Sequence, residues 1–324
     1  GLTGIPSGLT ALDRMTSGWQ PSDLVIIAAR PAMGKTAFVL SVARNAAVDH
    51  QRPVVVFSLE MSSVQLVNRL IAGETEIEQE KLKKGNLADH EWQQLHSRIG
   101  RLTEAPLIID DTPALNVFEF RAKCRRLKAQ HDIQMVIVDY LQLMHGKSEG
   151  KGGGNREQEI GSISRALKSV AKELNVPVLA LSQLSRAVES RPGNSKRPML
   201  SDLRESGSIE QDADMVLFLY RPEYYGLTED EEGRSTAGVG EVIIAKHRNG
   251  ETGIVPLKFV GKYVKFVDLE EDFGGMGGGD SFSSNDSPFG GSAMSPSASF
   301  DDFMGGGGIT MPSRMNDMPD DSPF

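Results

Sequence analysis

Cysteine is nearly absent: Cys124 stands alone in 324 residues. That scarcity excludes a disulfide framework and any zinc or iron–sulfur site built on cysteine. Long apolar runs are missing too. The longest, such as Leu24–Ala29, fall far short of the roughly 18–20 residues that span a bilayer. No charged-then-apolar leader opens the chain, so it reads as cytoplasmic with no membrane contact. His50, His90, His96, His131, His145 and His247 show no metal-ligand spacing. A basic excess is lacking as well: 35 Lys and Arg face 44 Asp and Glu, for a net charge of −9. At first sight that total argues against a nucleic-acid partner, but the argument turns on where the charges sit. The chain opens at Gly1 rather than Met, as expected for a piece of something longer.

The acidity is concentrated at one end. Residues 272–324 carry eight Asp against Arg314 alone, a net of −7, which leaves 1–271 close to neutral at −2. The same stretch is rich in Gly, Ser and Pro and almost free of β-branched residues. It cannot bury enough apolar surface to offset its ordering entropy, so a disordered tail is expected there. The body, 1–271, alternates apolar strands with amphipathic helices. Strands are predicted at 23–29, 53–58, 106–110, 134–139, 177–182 and 213–220, and helices at 35–49, 62–72, 89–102, 116–130 and 157–174. Continuous apolar strands alternating with helices predict an α/β fold: a mostly parallel twisted sheet with helices on both faces. The segments 241–246, 253–259 and 262–267 follow one another through tight turns at Asn249-Gly250 and Gly261. They predict a C-terminal antiparallel extension at the sheet edge. Two glycine-rich breaks, at 146–155 and 203–214, are candidate functional loops.

The strand Leu24–Ala29 runs into Arg30-Pro31-Ala32-Met33-Gly34-Lys35-Thr36, where a helix starts. Strand, loop, Gly-Lys-Thr and helix together make a P-loop. Such a loop turns its backbone N–H groups toward phosphate, and the helix N-terminus adds a positive dipole end. Residues 29–36 are therefore the candidate nucleotide-binding segment. Lys35 would reach the β- and γ-phosphates of ATP, and the Thr36 hydroxyl would face Mg²⁺. Ala29 stands where the usual pattern has its first Gly and fits if its φ stays negative. Asp139, at the carboxyl end of 134–139, is the candidate second Mg²⁺ residue. Glu60, after the second strand, has two readings of equal weight: polarising the attacking water, or favouring the helix start at Ser62.

The motifs Thr3-Gly4-Ile5-Pro6-Ser7-Gly8, Ser58-Leu59-Glu60-Met61-Ser62, Val138-Asp139-Tyr140-Leu141-Gln142, Ser182-Gln183-Leu184-Ser185-Arg186, Asp202-Leu203-Arg204-Glu205-Ser206-Gly207 and Lys246-His247-Arg248-Asn249-Gly250 occur in that order around the P-loop. Together they resemble the C-terminal motor domain of the DnaB family of bacterial replicative DNA helicases. The resemblance covers roughly 1–270 and extends to Ala29. It implies a RecA-like P-loop NTPase working as a homo-hexamer around single-stranded DNA, with ATP and Mg²⁺ held between subunits. Carried over residue by residue, Lys35 and Thr36 bind phosphate and metal and Asp139 supports the metal. Glu60 resembles the catalytic glutamate, and Gln183 resembles the sensor of the γ-phosphate. Lys246 and Arg248 resemble the pair given in trans to the neighbour's ATP. Arg204, Glu205, Ser206 and Gly207 resemble the DNA loop of the ring's hole. For the full-length protein the resemblance implies a primase and a helicase loader as partners, the primase docking through an N-terminal collar that is not expected within this sequence.

Other readings stand beside these. Spacing alone favours a solvated strand end for Lys246 and Arg248. The loop 146–155, with Lys147, Lys151 and Arg156 in or beside it, reads equally as a second pore loop or a solvent loop. Arg121, Lys123, Arg125, Arg126 and Lys128 form a basic helix face that is read as solvated, not DNA-binding. The end Asp320-Asp321-Ser322-Pro323-Phe324 resembles the acidic tip of single-stranded DNA-binding proteins, and is either a docking tip or a solvating tail. A filament-forming DNA-dependent ATPase and a docking platform remain as rival functions.

Overall fold

The strand β1 (Leu24–Ala29) is buried along its whole length, as its unbroken apolar sequence requires. In the computed structural model, which describes residues 1–146, 156–192, 196–206 and 208–270, β1 is flanked in parallel by β5 (Val178–Gln183) and β6 (Met215–Tyr220). Beyond β5 lie β4 (Met135–Asp139), β2 (Val54–Ser58) and β3 (Leu107–Asp110), all parallel. On the other side β7 (Val239–His247), β8 (Gly253–Val260) and β9 (Lys265–Asp268) add an antiparallel meander to β6. The sheet order is β3-β2-β4-β5-β1-β6-β7-β8-β9. This is the parallel sheet with a C-terminal antiparallel extension that the sequence predicts.

Side chains on successive strand residues point to opposite faces, and the core divides accordingly. Val25, Ile27 and Ala29 of β1 face one layer, where α2 (Lys35–Arg44), α3 (Ser63–Thr75) and α5 (Asp89–Thr103) bury Phe38, Leu66, Ile71 and Leu95. Leu24, Ile26 and Ala28 face the other, where α6 (Val117–His131) and α7 (Arg156–Leu174) bury Phe120, Leu127, Ile163 and Leu167. Each fully buried side chain of this size contributes about 1.5–3 kcal/mol relative to exposure.

Three local differences from the sequence reading have physical causes. The predicted helix 35–49 divides: α2 ends at Arg44 and Asn45–Asp49 continues as a widened turn that still buries Ala46, Ala47 and Val48. Two short helices escape the periodicity, α1 (Thr10–Thr16) and α4 (Gln79–Lys84), because only Leu12 and Thr16, and only Leu82, are buried in them. The last strand begins at Lys265 rather than 262, since residues 261–264 form the turn, with Val264 at φ +52°. The short helix α8 (Ile209–Asp212) precedes β6. The predicted tail, the loop 147–155 and Gly207 lie outside the described residues. Among the described residues no helix is long and apolar enough to cross a membrane.

Candidate functional site

The carboxyl ends of β1, β2, β4 and β5 place the P-loop, Glu60, Asp139 and Gln183 along one sheet edge. Ala29 lies in the strand and accepts a bond from Leu184 N at 3.1 Å, so no glycine is needed there. Gly34 is different. It sits at φ +87°, and a Cβ would come within 2.9 Å of the Phe266 ring, so only glycine fits at the start of α2. Ala32 is also at positive φ, +69°. Arg221, at the end of β6, braces the loop by donating to the Ala32 carbonyl at 2.8 Å. Arg30 turns away from the loop's mouth: it donates to Leu184 O and is paired with Glu189, so only its backbone is available to a phosphate.

Next to the loop, the Thr36 hydroxyl donates to Asp139 Oδ2 at 3.0 Å. Asp139 is 4% exposed, and burial raises its pKa, opposed by the Thr36 bond and Lys35. Lys35 is held below its usual value, chiefly by burial, while Asp139 and Glu60 pull the other way. Among the described residues no acceptor takes a hydrogen bond from the Lys35 ammonium, which lies 5.1 Å from the Tyr140 ring centre. A desolvated cation without an acceptor, a left-handed glycine and a helix N-terminus make a donor set suited to a polyphosphate. Thr36 and Asp139 offer the hard oxygen ligands that Mg²⁺ prefers.

Glu60 is exposed at the mouth of this site. The capping role is taken elsewhere: Ser62 accepts from Gln65 N, and the Gln65 side chain accepts from Ser62 N. The Glu60 carboxylate instead acts on Lys35, Arg69, Asp139 and Tyr140. Gln183 ends β5, and Gln142 brackets it, accepting from Gln183 N and donating to Ser182 Oγ at 2.8 Å. Arg69 was not singled out from sequence. It lies on α3, its guanidinium held below its usual value by burial and supported by Asp139 and Glu60. An arginine amid the buried Leu66, Val67, Leu70 and Ile71 was the available signal.

Lys246 and Arg248 lie elsewhere. His247 pairs with Met215, which pairs with Val25, at the start of β1, whereas the P-loop follows Ala29. The step from Val25 to Ala29 alone is ~13 Å at about 3.3 Å per residue. The pair therefore occupies the sheet edge opposite the phosphate site of its own chain. Lys246 Nζ donates to Glu210 O at 2.6 Å, and Arg248 Nη1 to Asp214 Oδ1 at 2.7 Å. Arg204, Glu205 and Ser206 fall in a short 3-10 turn, Leu200–Ser206, on the path into α8. On α6 the basic residues are engaged within the chain: Arg121 and Arg125 with Glu173, Lys123 with Asp110, and Lys128 with Asp132. Among the described residues no cluster of His, Cys, Asp or Glu suits a metal on its own.

Residues 4–268 match the DnaB-like helicase C terminal domain. The chain belongs to this family. It is 53% identical over 272 residues to the replicative DNA helicase DnaB of Geobacillus stearothermophilus, covering 84% of this chain and 58% of that protein. It is 52% identical to the replicative DNA helicase DnaC of Bacillus subtilis, over 85% of this chain and 59% of that protein. The chain thus spans less than two thirds of these relatives' length. Among solved structures, one ATPase domain superposes with a TM-score of 0.76 at 44% identity, covering 83% of this chain and 93% of that one. A DnaB-like replicative helicase studied with its primase interactions gives the same TM-score and identity, over 83% of this chain and 63% of that one. The fold is RecA-like, as the resemblance implied.

Proposed function

We propose that this domain is the ATP-driven motor of a replicative DNA helicase, working as a hexameric ring on single-stranded DNA. One observation carries the reading. The phosphate loop and the Lys246/Arg248 pair sit at opposite edges of one sheet, which supports a site shared between two copies of the chain. A ring closes it at every interface.

In each interface the loop amides and Lys35 hold the ATP phosphates. Thr36 and Asp139 would hold Mg²⁺, which would supply positive charge next to the phosphates. Glu60 orients a water and takes its proton as the water oxygen bonds to the γ-phosphorus and the bond to the β-phosphate oxygen breaks. The neighbour's Arg248 and Lys246 stabilise the charge on the transferred group. Gln183, anchored through Gln142, reports the γ-phosphate to the rest of the sheet. Arg204–Gly207 contact the DNA backbone without reading sequence, as small residues and backbone amides do in such loops. Primase and a loader are partners of the intact protein. The acidic tail 272–324 lies outside the motor and offers its Pro-Phe end for docking.

Strand displacement on a forked duplex by the intact protein tests the reading. ATP-dependent displacement, with hydrolysis stimulated by single-stranded DNA, is expected. Stimulated hydrolysis with filaments and no displacement would favour a recombinase-like ATPase instead.

A further inference from the structure

We propose that Asp214 is the positioning residue for Arg248, presetting that guanidinium for the neighbouring subunit's nucleotide; the proposal rests on the trans reading above. Asp214 is 5% exposed and stands just before β6. One carboxylate oxygen, Oδ2, is fixed first: Leu24 N donates to it at 2.9 Å and Lys168 Nζ at 2.5 Å. Lys168 is itself tied to Ser22 O at 2.8 Å. The other oxygen, Oδ1, is aimed at Arg248 Nη1, 2.7 Å away. The main chains are locked together as well, with Arg248 N donating to Asp214 O at 2.8 Å and Asp214 N to Leu24 O at 2.9 Å. The acceptor is thus rigid before it meets the arginine.

A second contact sets the plane of the guanidinium. Arg248 Nη2 donates to Gln211 O at 3.2 Å, next to the Glu210 carbonyl that takes Lys246 Nζ. Two points fix a planar fork, and α8 supplies carbonyls to both members of the pair. The Arg248 side chain stays 46% exposed, and a guanidinium has more N–H donors than the two used here. Lys168 offsets the Asp214 charge, so the arginine is oriented without being neutralised. A long side chain held this way loses less rotamer freedom when it engages a phosphate. Sequence spacing gives Asp214 no role beyond closing the break 203–214; its burial and its aim at Arg248 give it one.

The test is steady-state ATP hydrolysis by rings of the intact protein with single-stranded DNA. Asp214→Asn should lower kcat by about 10–10²-fold, the scale of a misplaced catalytic group, with KM nearly unchanged. The loss should vanish in an Arg248→Ala background, since a residue acting through Arg248 adds nothing once Arg248 is gone. Lys168→Met, which frees one carboxylate oxygen but leaves the Arg248 contact in place, should lower kcat by less than Asp214→Asn does. Lys168→Met/Asp214→Asn removes both buried charges, so it is the variant to use if Asp214→Asn alone fails to assemble; it should show the same kcat loss.

A structural role is separated by mixing. Asp214→Asn subunits should restore hydrolysis when mixed with Lys35→Ala subunits, whose Arg248 is intact, but not when mixed with Arg248→Ala subunits. Equal behaviour in both mixtures, additive losses with Arg248→Ala, or an equal loss in Lys168→Met would overturn the positioning role. An Arg248→Ala protein with undiminished kcat would instead sink the trans reading beneath it.

Discussion

The two edges of the central sheet treat charge in opposite ways. At the carboxyl edge Lys35 is half-buried with no hydrogen-bond acceptor among the described residues, and Glu60 stands exposed beside it. At the amino edge Lys246, Arg248 and Lys168 all have acceptors, and Asp214 meets both Lys168 and Arg248. An edge with unsatisfied charge is built to receive a ligand; an edge with satisfied but half-exposed charge is built to present one. On the proposed reading, binding and presentation are separated along the same strands, and a second copy supplies the other half of the site.

The largest effect should come from the presenting edge. Arg248→Ala should reduce single-stranded-DNA-stimulated ATP turnover by about 10³-fold or more, the usual worth of an arginine finger, while leaving nucleotide affinity nearly unchanged in a filter or fluorescence binding assay. A matching loss of affinity would mean that the two edges are not separate. Glu60→Ala should cost about 10²–10⁴-fold in kcat with the Thr36–Asp139 arrangement intact; undiminished turnover would remove Glu60 from the chemistry.

A smaller effect concerns stability at the amino edge. Asp23 has its pKa raised from 3.8 to about 6, first by burial and then by Asp214. Its folded value lies above its unfolded one, so the folded state holds the extra proton between those two values, and stability falls as pH rises through that window. Asp23→Asn should therefore raise the melting temperature at neutral pH, and the gain should shrink as the pH drops toward the unfolded value. A gain that does not depend on pH would contradict this. The smallest effect belongs to the tail: removing Asp317–Phe324 should leave ATP turnover unchanged.

The carboxyl edge was largely legible in the sequence, and the amino edge was not. A buried strand, a glycine and Lys35-Thr36 are neighbours along the chain, so their geometry follows from local rules. The strands were readable for the same reason: a run such as Met135–Asp139 is apolar almost throughout because both of its faces are covered. Arg69 escaped because its meaning depends on α3 packing beside Asp139 and Glu60, a tertiary fact. Asp214 escaped because its partners, Leu24, Lys168 and Arg248, come from three distant segments. Net charge misled in the same way: the −9 total is set mostly by 272–324, whereas the presenting edge carries its cations in a near-neutral body.

If one subunit binds the nucleotide and the next completes the site, two differently broken subunits must rescue each other. The direct measurement mixes Lys35→Ala subunits, which keep Arg248, with Arg248→Ala subunits, which keep the P-loop, and assays hydrolysis in rings shown by native mass to contain both. Turnover well above that of either parent is expected. Mixed rings no more active than the separate variants would contradict the division of the site between subunits.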